Sequence, residues 1–126
     1  MDIHALEKAK QDQLAVKARE FYTKVLDENP KNLDVKTKMA MTYLSAESPM
    51  QGIMMLREVL AADPKNELAL FNMGMLSIQS GQYDKAVEYM ERLIVVNPNH
   101  LQGQLLLGVA YMNKGNTDKA RQQFEK

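Results

Sequence analysis

Pro30, Pro64 and Pro98 stand at a fixed spacing of 34 residues, and each follows an asparagine or aspartate, namely Asn29, Asp63 and Asn97. A period of that size marks a helical-repeat solenoid. Other residues keep the same phase. Ala18, Gly52 and Ala86 precede the three prolines by 12 residues and are all small; Tyr22, Leu56 and Met90 precede them by 8 and are all large and apolar. A second small series, Ala40, Gly74 and Gly108, is followed three residues later by Tyr43, Ser77 and Tyr111.

These types at this spacing specify helical hairpins. Small residues let two helices approach closely, and a large apolar residue one turn later fills the space beside the contact. Proline lacks an amide hydrogen and clashes with the preceding turn, so the second helix of each unit ends just before it. Asn32 and Asn66 then cap the next helix. Gly81 and Gly115 suit the left-handed residue that ends a first helix, and Ser48-Pro49 reads as a cap followed by a first-turn proline.

The segments "LFNMGMLSIQSGQYDKAVEYMERLIVVNP" and "QLLLGVAYMNKGNTDKARQQFEK" resemble the tetratricopeptide repeat family. The motif residues are Met73-Gly74, Gly81-Gln82-Tyr83, Ala86 and Pro98 in one unit, and Leu107-Gly108, Tyr111, Gly115, Ala120 and Phe124 in the next. The unit from Leu33 to Asn66 matches less closely, with Glu47 where a turn glycine is usual. The resemblance implies an all-α, right-handed superhelical solenoid of antiparallel helix hairpins, with about three repeats. Its divisions are 33–66, 67–100 and 101–126, the last truncated at its C-terminal end.

Residues 1–32 depart from the pattern. Leu6, Ala9 and Gln13 stand where the small residue, the tyrosine and the turn glycine belong. From Asp2 to Glu28 there is no glycine or proline, which predicts one long helix of roughly 40 Å whose second half is equivalent to a repeat's second helix. Leu14, Ala18, Phe21, Tyr22 and Val25 give that half an apolar stripe. No polar capping element closes the last repeat, so the sequence reads as a piece of a longer protein.

Composition removes several classes of function. Lysine and arginine equal aspartate and glutamate at 16 each, which leaves no electrostatic footprint for nucleic acid or anionic lipid. With no cysteine there are no thiolate metal sites or cysteine nucleophiles. His4 and His100 have no neighbouring histidine, the carboxylates are dispersed, and no glycine-rich phosphate loop occurs. We expect no enzyme, no cofactor and no metal, and neither nucleic acid nor a membrane as a partner of these residues. A soluble domain is expected, cytoplasmic or in a bacterial cell envelope by analogy with other short proteins of this family.

What remains is protein binding. By the resemblance, a concave groove is lined by Thr37, Met41 and Leu44; by Phe71, Asn72, Met75 and Ile78; and by Leu105, Val109 and Met112. Most are apolar. Some family members grip a C-terminal carboxylate with basic and amide side chains there, but Asn72 alone fits, while Met41, Gln102 and Leu106 occupy other clamp positions. The expectation is therefore a non-catalytic scaffold that takes an apolar or amphipathic peptide or helix. Burial of residues 68–78 and 105–112 between neighbouring helices is the competing reading. Self-association through the N-terminal helix or the truncated repeat, including helix exchange, and a small apolar ligand are the alternative functions.

Overall fold

Pro30, Pro64, Gly81 and Pro98 end helices close to the predicted breaks, whereas Gly115 does not. The computed structural model describes residues 2–44 and 49–124, the last six of these by backbone alone. Ser48, Glu47 and the side chains of Ala120 and Phe124 lie outside the described residues. The helices are α1 (Ile3–Glu28), α2 (Leu33–Leu44), α3 (Pro49–Ala62), α4 (Glu67–Gln79), α5 (Tyr83–Val96) and α6 (Leu101–Phe124), and no strand occurs among the described residues. The chain falls into two compact units divided between Ala62 and Asp63.

In the first unit, α1 is a single helix, capped where the Asp2 carboxylate accepts from the His4 amide at 3.1 Å. It stops before Pro30, and Asn32 Oδ1 accepts from the Val35 amide at 3.2 Å to start α2. The α2–α3 hairpin closes on the small pair foreseen for it. A β-carbon on Gly52 would stand 2.6 Å from the Ala40 carbonyl oxygen and 2.9 Å from Leu44 Cγ, so only glycine admits this approach. Leu56 and Val59, at the next turns of α3, are fully buried. Helix α1 lies against α2 with the Arg19 guanidinium over the Tyr43 ring, 4.6 Å from its centroid.

In the second unit, Asn66 Oδ1 accepts from the Ala69 amide at 3.0 Å, and α4 follows. Its end is a left-handed glycine turn. Gly81 has φ of 76°, Gln82 N donates to Ser77 O at 2.8 Å and Gly81 N to Ile78 O at 3.1 Å, which returns the chain as α5. Ala86, Met90 and Leu93 form the buried stripe of α5. Helix α6 packs beside α5 and touches α4.

The last predicted hairpin is not formed. Gly115 lies inside α6, where the chain continues helical to Phe124 instead of turning. A glycine permits a left-handed turn without requiring one. At Gly81 two turn bonds and a packed following helix support it, whereas at Gly115 the helix keeps its own ladder and Thr117 Oγ1 donates to Asn113 O at 2.9 Å across the site. Only the helical residues that follow Gly115, taken together, can offset the roughly 1 kcal/mol that glycine costs there, since each adds a small propagation gain.

Candidate functional site

Helix α6 is placed by its first turn and by two contacts to α5. His100 Nδ1 accepts from the Gly103 amide at 2.9 Å, and the ring lies 5.4 Å from that of Phe71 on α4. Further along, the Tyr111 hydroxyl donates to Glu91 Oε1, and Lys114 Nζ lies 3.0 Å from Asp84 Oδ1. The hydrogen bond to Glu91 holds the Tyr111 phenol above its ordinary range, helped by partial desolvation and the Glu91 charge. The Asp84 hydrogen bond and charge likewise raise Lys114. Leu107 and Ala110 turn inward against Ala86 and Val87, joined by Ile78.

That leaves one face of α6 outward. From Leu101 to Asn113 the helix carries no charged residue. Leu101, Leu105, Val109 and Met112 are exposed, Leu105 by 62% and Met112 by 72%. A stretch of this composition resembles a buried helix without its cover. The two apolar segments singled out from sequence thus differ. Helix α4 is largely buried, with Ala69, Leu70, Met73 and Gly74 inside, and α6 is half open.

The predicted groove set divides as well. Thr37 is fully buried and Asn72 nearly so, so neither lines an open surface. Thr37 Oγ1 donates to Leu33 O at 2.8 Å and Asn72 Nδ2 to Leu68 O at 2.8 Å. A short polar side chain bonded to the carbonyl one turn back is satisfied without water, and so polarity did not keep these outside. Leu44 lies against Gly52, and Ile78 packs on the Ala86 and Val87 cluster. Both fill their own hairpins. Met41 is exposed on the first unit; in the second, Phe71 and Met75 are half-buried on α4, while Leu105, Val109 and Met112 are exposed on α6.

The sequence reading missed a second apolar surface. Val95 is 82% exposed and borders a hollow of about 570 Å³ with Pro64, Val87, Glu91 and Arg92. Arg92 Nη2 donates to Pro64 O at 3.1 Å at its edge. The two adjoining valines, Val95 and Val96, were the available signal, since only one can face the core. Among the described residues no group of three or more histidines, aspartates or glutamates is gathered to hold a metal, and no helix is long and apolar enough to cross a membrane.

Comparison with known proteins agrees with this architecture. Residues 71–126 match the tetratricopeptide repeat family model. The mouse (Mus musculus) protein O-mannosyl-transferase TMTC3 is 30% identical over 114 residues, covering 88% of this chain but only 12% of that protein. A crystal structure of MamA aligns with a TM-score of 0.69 and 26% identity, over 99% of this chain and 72% of that one. A second MamA structure, titled MSR-1 C2, gives 0.66 and 24% over 98% and 75%, a likeness of fold. Repeats of this kind make the chain a protein-interaction scaffold in general terms. With its period, its small-residue contacts and its caps in place, the chain is similar in sequence and fold to the tetratricopeptide repeat family.

Proposed function

We propose that the second unit binds an amphipathic helix or an extended apolar segment against Phe71, Met75, Leu105 and Val109, without catalysis. The observation that carries this reading is the uncharged, exposed face of α6 beside α4. Met75 and Val109 hold the same repeat position on their two helices, so one ligand running across them meets a continuous apolar stripe. Covering each large side chain is worth roughly 1.5 to 3 kcal/mol, enough in sum to offset the cost of association. The transferase activity in the relative's name belongs to a protein of which this chain spans 12%, and none of it is assigned here.

The test is fluorescence anisotropy with a labelled synthetic helix, leucine on one face and alternating lysine and glutamate on the other. Saturable binding by the native chain, weakened about tenfold or more in Val109→Glu and unchanged in Val95→Glu, supports the stripe. Loss in Val95→Glu alone moves the site to the hollow on α5. Absence of binding by the native chain rejects this ligand class.

A further inference from the structure

Two halves of a hairpin interface lie open in this chain, one at each end. In the hairpins that do form, the position of Gly108 is closed by a paired helix. A β-carbon on Gly74 would stand 2.6 Å from Met90 Cε, and Ala40 meets Gly52 just as closely. Around Gly108 nothing lies within 4 Å of that point. Four residues on, Leu44 and Ile78 are packed in their hairpins, and Met112 is exposed. The residues that would supply the second helix run on as the straight end of α6.

Helix α1 shows the opposite half. Ala18, Tyr22 and Val25 share the phase of Ala86, Met90 and Leu93 and of Gly52, Leu56 and Val59. Those six are buried, while Ala18 and Tyr22 are half-exposed and Val25 is exposed. The segment that would form its paired first helix instead continues α1 back to Ile3.

We infer that α1 of a second copy docks on α6, giving head-to-tail assembly; this rests on the proposed function and makes that α1 the amphipathic helix taken by the α6 face. The register follows from the hairpin in which Gly52 lies against Ala40. Setting Ala18 opposite Gly108 in antiparallel sense brings Leu14 level with Met112, Phe21 with Leu105 and Val25 with Leu101, and every one of these six is exposed. The spacings match along both helices, so each step along one stripe meets a step along the other. Tyr22 then takes the space beside Gly108 that Met90 fills beside Gly74. Beyond the apolar stretch Lys8 comes level with Asp118, so flanking charges are opposite in sign. The two faces differ, so the contact is heterologous and leaves one of each open on every growing chain.

Light scattering from micromolar to millimolar protein tests this with complementary variants. The native chain, 14.3 kDa as a monomer, is expected to gain mass past the dimer as concentration rises. Met112→Glu spoils only the α6 face and Phe21→Glu only the α1 face, so each alone is monomeric. Mixed in equal amounts they form a dimer that grows no further, since one good face of each remains. Circular dichroism confirms that each variant is folded, and Leu101→Glu with Leu14→Glu repeats the design where it is not. A monomeric native chain, continued association of either single variant, or a mixture that stays monomeric overturns the inference. The first outcome points to residues 116–124 folding back onto their own helix, and the second to a symmetric pairing of like helices.

Discussion

Gly74 and Met90 occupy one space: a β-carbon on the glycine would stand 2.6 Å from the methionine methyl and 3.1 Å from its Sδ and Cγ. Met90 is fully buried, so its side chain cannot swing clear without disturbing the α4–α5 hairpin. Gly74→Val is expected to lower stability by about 1 to 3 kcal/mol through overpacking, despite removing a glycine from a helix. At Gly108 nothing opposes a side chain, so Gly108→Ala is expected to gain about 0.5 to 1 kcal/mol in the monomer. Urea unfolding at low protein concentration measures both, and a destabilised Gly108→Ala contradicts the open space described there.

Gly81 and Gly115 hold the same position in successive repeats but have different backbones. Gly81, at φ of 76°, is the only described residue in the left-handed region, and Gly115 is helical. Alanine at Gly81 is expected to cost about 1 kcal/mol, and at Gly115 to gain 0.5 to 1 kcal/mol with a rise in helical circular dichroism. A loss at both positions means that Gly115 forms a turn in solution.

That contrast shows what the sequence could and could not specify. The period, the prolines at helix ends, the caps at Asn32 and Asn66 and the small-residue contacts are local in origin, so they were readable. Whether Gly115 turns depends on whether a following helix finds a face to pack on, which no local signal encodes. The site was less legible for a similar reason. Thr37 and Asn72 look like surface residues until their bonds to Leu33 and Leu68 are seen. Leu44 and Ile78 lie at the edge of the stripe, where a small rotation of the helix decides between groove and core. The ties of Tyr111 to Glu91 and Lys114 to Asp84 join residues 20 or more apart in sequence and depend on how α5 and α6 dock.

Those two ties also set a pH window. Tyr111 and Lys114 are both raised in the folded state, each chiefly by a hydrogen bond in which it is the protonated donor. A raised group stabilises the fold below its unfolded pKa and loses that contribution as pH climbs through the folded value. With ordinary values near 10 for both types, thermal melts are expected to be unaffected by these groups from pH 6 to 9 and to fall above about pH 10. The double variant Tyr111→Phe with Lys114→Met should flatten that alkaline fall. Both side chains are solvent-exposed, so the effect is small and reduced by salt.

His100 serves α6 twice, by accepting the Gly103 amide and by lying against Phe71. Histidine is an unusual cap, and the ring contact explains why it can replace asparagine, which opens α2 and α4 at the equivalent positions Asn32 and Asn66. An asparagine supplies the acceptor without the ring, and a leucine at position 71 removes the ring partner without touching the cap. His100→Ala is expected to cost about 1 kcal/mol for the cap and up to about 1 kcal/mol more for the ring contact. His100→Asn should recover the first part alone. In a double-mutant cycle by urea unfolding, Phe71→Leu is expected to couple to His100→Ala and to couple to His100→Asn equally, because both changes remove the same ring. Coupling seen only with alanine would assign the interaction to the cap and leave the ring contact without energetic weight.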